Sequence, residues 1–131
     1  HDGPIGCAPS PDLEAPARYR ALHAAMLDGE VAACHDLSEG GLAVAAAEMC
    51  IAGRLGAHVE RPEGVDAATW WFAESMGRLL VEVPQSDLGS FLKRFDGDAE
   101  VVGTVTDEAR LRLGDVEVDL DALVAAHTGG R

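Results

Sequence analysis

Apolar positions along the chain switch between a helical and a strand-like period, and the switches lay out its elements. Tyr19, Leu22 and Met26 recur at helical spacing. Ser10-Pro11 supplies a start ahead of them, since serine caps a helix and proline is favoured at its first position. Asp12 and Glu14 then bring negative charge to the first turn, where the helix dipole favours it. Pro16 falls early enough to be tolerated, and Gly29 marks the stop. Residues 31–34 read as a short buried strand. A second helix is predicted over 41–52, where Leu42, Ala45, Ala46 and Met49 form one face. Its alanines keep that face thin, so it can lie close against a sheet, and Gly53 ends it.

Further strands are predicted over 56–60, 78–83 and 100–105, with a polar loop over 61–69. Trp70 and Trp71, core or interface residues by their size, open the unit that leads into the 78–83 strand, and Pro84 breaks that strand. A short helix begins at Gln85 or Ser86 and carries Leu88, Phe91, Leu92 and Phe95 as a core stripe. Residues 110–113 and 116–120 alternate around Gly114-Asp115, the pattern of a hairpin, and a last helix covers 120–126. Strands interrupted by helices without strict alternation predict an α+β fold, a mixed sheet with helices packed against it. Residues 1–10, rich in Gly and Pro and without period, read as a linker or edge segment, leaving 11–131 as a single α/β domain.

Composition narrows the function. A length of 131 residues with 47% hydrophobic content suits one globular domain. A net charge of −13, with Lys93 the sole lysine, argues against a nucleic-acid partner, which needs a basic face. The longest apolar run, around Leu42 to Ala47, falls far short of a membrane span, and no stretch reads as a signal peptide. A soluble cytoplasmic protein with no membrane partner is expected. Cys7, Cys34 and Cys50 are an odd set without metal-type spacing, which disfavours a disulfide framework or a zinc site. Cys34 adjoins His35, but neighbours in a strand point to opposite faces, so an inert cysteine is expected.

The stretch that carries chemistry is His35-Asp36-Leu37-Ser38-Glu39-Gly40-Gly41. It leaves a strand and enters a helix at two glycines. The first N–H groups of a helix lack internal partners and the dipole adds positive charge there, while glycine lets a phosphate approach the backbone. Ser38 can donate to a phosphate oxygen, and Asp36 offers the hard carboxylate that Mg²⁺ takes together with phosphates. The plainer alternative is that Asp36 or Ser38 caps the helix and the glycines mark only a tight turn. Spacing alone leaves both open.

Residues 35–44, continued by Ala47-Glu48-Met49, resemble the signature of formylglycinamidine ribonucleotide (FGAM) synthase. Residues 72–83, from Phe72-Ala73-Glu74-Ser75 through Arg78 to Val83, resemble that family's glutamate-serine-x-x-arginine strand, and Val102-Gly103-Thr104-Val105 its late glycine-containing strand. The resemblance covers residues 12 to about 124. It implies the C-terminal domain of the aminoimidazole ribonucleotide synthetase-like superfamily, partly ferredoxin-like, within an ATP-dependent ligase of purine biosynthesis. That enzyme converts formylglycinamide ribonucleotide to the amidine with ammonia from glutamine.

Carried over residue by residue, the resemblance implies that Asp36 binds Mg²⁺ and that Ser38, with Gly40 and Gly41, meets ATP or ADP at an auxiliary site. Glu74, Ser75 and Arg78 have either a substrate or a structural role, and His35 either packs the loop or acts on substrate. The loop's wording is similar to that of the second of the synthase's two tandem copies. The chain's end soon after its last helix is similar to the small-type synthase. The partners implied are the N-terminal ATP-binding and C-terminal-type domains of the same polypeptide, a separate glutaminase subunit and a small accessory subunit. The chain alone is expected to be inactive. A non-catalytic packing module, or the equivalent domain of aminoimidazole ribonucleotide synthetase, is the alternative.

Overall fold

A computed structural model describes residues 12–129. Eleven elements follow one another: α1 (Ala15–Leu27), β1 (Ala33–Asp36), α2 (Gly41–Gly53), β2 (Gly56–Val59), α3 (Ala67–Phe72), β3 (Leu79–Glu82), α4 (Leu88–Phe95), β4 (Gly103–Thr106), β5 (Arg110–Leu113), β6 (Val116–Asp119) and α5 (Leu120–Gly129). The strands form two sheets. One is an antiparallel β1–β3 ribbon, and the other is a mixed sheet in the order β4-β2-β5-β6, with β2 and β5 parallel. The architecture is the α+β class predicted, with the strands divided between two sheets.

The ribbon lies between helices, and its period of two shows how. Cys34, Leu79 and Val81 face a cluster built on Leu22 and Ala25 of α1 and Phe91 of α4. Leu80 faces the larger cluster on the other side, where Leu42, Ala45, Ala46 and Cys50 of α2 pack on Val59, Trp70, Leu111 and Leu120. A helix of small side chains is what permits α2 to sit this close to both sheets. Trp70 is anchored further, because its Nε1 donates to the Glu60 carbonyl at 3.1 Å. Arg94 ties α4 to the end of α1 by pairing with Asp28 at 2.7 Å and Glu30 at 3.1 Å.

Several expectations need correction. In α1 the buried residues are Leu22 and Ala25, while Tyr19 and Met26 are 47% and 41% exposed, so the stripe is narrower than its period suggested. Asp12 lies ahead of α1 and accepts from the Glu14 N–H at 3.0 Å, and Glu14 is the N-cap, so neither acid lies within the first turn. The Ser10-Pro11 start falls outside the described residues. Gly29 does end the helix, at φ +78°, with the Glu30 N–H closing on the Ala25 carbonyl at 3.0 Å. Part of the predicted polar loop is α3, which begins where Asp66 accepts from the Thr69 N–H at 2.8 Å. The first strand lies two residues later than predicted, placing His35 and Asp36 on β1 instead of in the loop. β4 begins at Gly103, three residues beyond the predicted start.

Candidate functional site

β1 ends at Asp36, paired with Leu79, and His35 pairs with Leu80. Leu37 then turns inward, 5% exposed, and its N–H donates to the Arg78 carbonyl at 3.1 Å. This contact carries the strand pairing one residue further and leaves Ser38 and Glu39 exposed at the tip. Gly40 at φ +81° and Gly41 at φ +62° make the turn into α2, a left-handed backbone that glycine adopts without strain. A Cβ on Gly41 would lie 2.8 Å from the Phe72 carbonyl carbon, so α3 packs directly on this glycine.

No side chain at the N-cap itself satisfies the start of α2. The capping alternative for Asp36 and Ser38 is not what the loop does. Glu74 does it: its Oε1 accepts from the Gly40 N–H at 2.9 Å, across thirty-four residues of sequence. Three ties therefore join the two sequence motifs, namely Glu74 on Gly40, the Arg78 carbonyl on Leu37, and the Phe72-Ala73 backbone against Gly41. Arg78 turns its guanidinium back to the Ala73 carbonyl at 3.4 Å, and among the described residues it forms no ion pair with Glu74. Ser75 is exposed, and neither its hydroxyl nor that of Ser38 is hydrogen-bonded among the described residues.

His35 and Cys34 point to opposite faces of β1. The thiol meets the α1–α4 cluster, and burial first, then the Asp36 charge, raises its pKa, as suits an unreactive cysteine. The imidazole reaches α2, where its Nε2 lies 2.8 Å from Glu48 Oε2. Its Nδ1 lies 2.7 Å from the Asp36 carbonyl oxygen and 3.5 Å from Asp36 Oδ1. Glu48 lies within the first motif, and only the fold shows what it meets. The signal that marks it is a lone carboxylate among the alanines of α2.

The donor set fits a magnesium ion held mainly by phosphates. Asp36 presents a hard carboxylate, 67% exposed, at the mouth of the loop. Among the described residues no group of three or more His, Cys, Asp or Glu is placed to hold a metal by itself. An ion here would complete its shell from phosphate and water, as Mg²⁺ commonly does.

A strand-end carboxylate, a braced glycine turn and an alanine-rich helix packed between a two-stranded ribbon and a mixed sheet define an α+β domain. The chain belongs to the family described as AIR synthase related protein, C-terminal domain, whose profile matches residues 7–116. Among curated relatives, the phosphoribosylformylglycinamidine synthase subunit PurL of Rhodopseudomonas palustris (strain BisB5) is 38% identical over 127 residues. That match spans 93% of this chain and 17% of the relative. The subunit of the same name from Parafrankia sp. (strain EAN1pec) is 39% identical over 135 residues, 95% of this chain and 17% of the relative. The chain thus spans about a sixth of the length of these relatives.

Two solved structures share the fold at 24% identity, each matched over 79% of this chain and 20% of theirs. They are Thermotoga maritima PurL complexed with ATP, at a TM-score of 0.69, and PurLQS from Thermotoga maritima, at 0.70. The relatives carry the enzyme name that the loop's resemblance implied. No helix among the described residues is long and apolar enough to cross a membrane.

Proposed function

We propose that this chain is the C-terminal domain of an ATP-dependent, cytoplasmic ligase of de novo purine biosynthesis. The enzyme converts formylglycinamide ribonucleotide to formylglycinamidine ribonucleotide with glutamine-derived ammonia. Within it, Asp36 holds Mg²⁺, while Ser38 and the Gly40-Gly41 turn meet the phosphates of ATP or ADP, the Gly40 N–H staying with Glu74. Bound magnesium supplies neutralisation of phosphate charge. The chain's own part is to hold an exposed carboxylate and an exposed hydroxyl two residues apart, ahead of a braced turn. The partners are the remaining domains of the polypeptide, a separate glutaminase subunit and a small accessory subunit. The PurLQS assembly of a relative supports such an arrangement.

The observation that carries this reading is the joining of the two motifs, with Glu74 and Arg78 of the second bracing the turn of the first. Family likeness and local geometry converge on one loop. The test is ATP-dependent amidine formation by the intact polypeptide with ammonia supplied. Activity is expected from the intact protein and none above a no-protein control from the 131-residue chain. Turnover by the chain alone would overturn the division of labour, and an intact polypeptide without activity would overturn the reaction assigned.

One observation favours a second reading, a packing module that binds nothing. Gly40 already has an anionic acceptor in Glu74, and both glycines are required by backbone geometry. Nucleotide titration separates the two readings.

A further inference from the structure

α2 shows alanine or larger apolar side chains to the sheets along most of its inner face, yet places Glu48 beside β1. That carboxylate is 38% exposed, the imidazole it meets 28%, and the Asp36 carboxylate beyond 67%. The contacts therefore run from a partly covered helix flank outward to the mouth of the loop. A carboxylate this exposed can stay hydrated without a partner, and pairs of this kind contribute little to stability. What the pair does is orient a ring. A histidine is fixed in direction by the partner of one nitrogen, which decides what the other nitrogen meets. Here the other nitrogen makes its hydrogen bond to the Asp36 carbonyl oxygen at 2.7 Å, with the carboxylate Oδ1 of the same residue next to it at 3.5 Å.

We propose that Glu48 is a positioning residue which, through His35, holds the carboxylate of Asp36 in place for the magnesium ion of a bound nucleotide. The proposal rests on the reading of Asp36 as that ion's ligand. Glu48 itself touches no ligand in this scheme. Its effect belongs to the metal-dependent part of binding, because His35 contacts Asp36 and not Ser38 or the glycines.

The test is titration of the intact protein with ADP, once with Mg²⁺ and once with chelator, read as the gain in affinity that the metal brings. Glu48→Leu keeps the bulk and removes the acceptor. It is expected to cut the metal-dependent gain about tenfold while leaving metal-free ADP within about twofold of the native protein. Glu48→Gln keeps an acceptor oxygen and is expected to restore most of the gain. An undiminished gain in Glu48→Leu, or equal weakening with and without metal, would overturn the proposal. Should Glu48→Leu not fold, His35→Gln is measured in its place, with the same loss expected and a native-like gain again overturning it. Asp36→Ala separates the two levels of inference. If it abolishes the gain while Glu48→Leu does not, positioning alone fails. If it leaves the gain intact, the assignment of Asp36 fails and the proposal falls with it.

Discussion

Gly41 meets two constraints at once: a φ of +62° and the Phe72 backbone where its Cβ would be. The Gly41→Ala change is expected to destabilise the fold by about 2 kcal/mol, read as a lower denaturation midpoint, since backbone strain and overpacking each cost on that order. A native-like midpoint would show that α3 yields easily. The sequence made the two glycines legible as a special backbone. It could not show their packing reason, because Phe72 lies thirty-one residues downstream. Glu74 was named with a substrate or structural role, but its partner was out of reach, as its motif says nothing of the N–H it meets. Removing that acceptor in Glu74→Ala is expected to cost about 1 kcal/mol, with equilibrium unfolding as the measurement and an unchanged midpoint as the refuting result.

The thiols give a pH dependence. Burial is the first cause raising the pKa of both Cys34 and Cys50, with the charges of Asp36 and Glu82 adding to it. A thiol whose folded pKa exceeds its unfolded value stabilises the fold in its neutral form. That contribution is complete below the ordinary value of 9.0 and is lost as pH rises through the raised folded values. Native protein at pH 8 is therefore expected to react with an aromatic disulfide reagent far more slowly at Cys34 and Cys50 than unfolded protein does. Replacing both residues with alanine should flatten the alkaline fall in stability. Equal reaction rates in native and unfolded protein would contradict this account.

At the scale of elements, what was local was legible. The β5–β6 hairpin pairs Arg110 with Asp119 and Leu113 with Val116 around Gly114-Asp115, as the alternation predicted, because turn and register lie within ten residues. α2 was equally plain from its period. α3 was missed although Asp66 and Thr69 form its cap, because Trp-Trp-Phe favours a strand and packing on Gly41 prevails. The position of β1 depends on its partner β3, where Ala33 meets Glu82, and no local pattern encodes that register. Leu111 of β5, 2% exposed, joins the sheet to α2. Leu111→Ala is expected to cost about 3 kcal/mol in equilibrium unfolding, whereas a loss under about 1 kcal/mol would mean the cavity collapses.

For the whole molecule, two apolar clusters with the β1–β3 ribbon between them place the loop 36–41 where ribbon, α2 and α3 meet. His35, Glu48 and Glu74 come from three separate segments and converge there. That arrangement is the part of the candidate site the sequence could not show, whereas Asp36 and Ser38 were legible in it as candidates. The most direct measurement is calorimetric titration of the intact protein with Mg-ADP, comparing the native loop with Asp36→Ala and Ser38→Ala. Loss of one binding equivalent, or a fall in affinity of at least about tenfold in Asp36→Ala with a smaller fall in Ser38→Ala, is the result expected of a phosphate and magnesium site. Identical affinity and stoichiometry in all three proteins would contradict it and leave the loop as a packed turn.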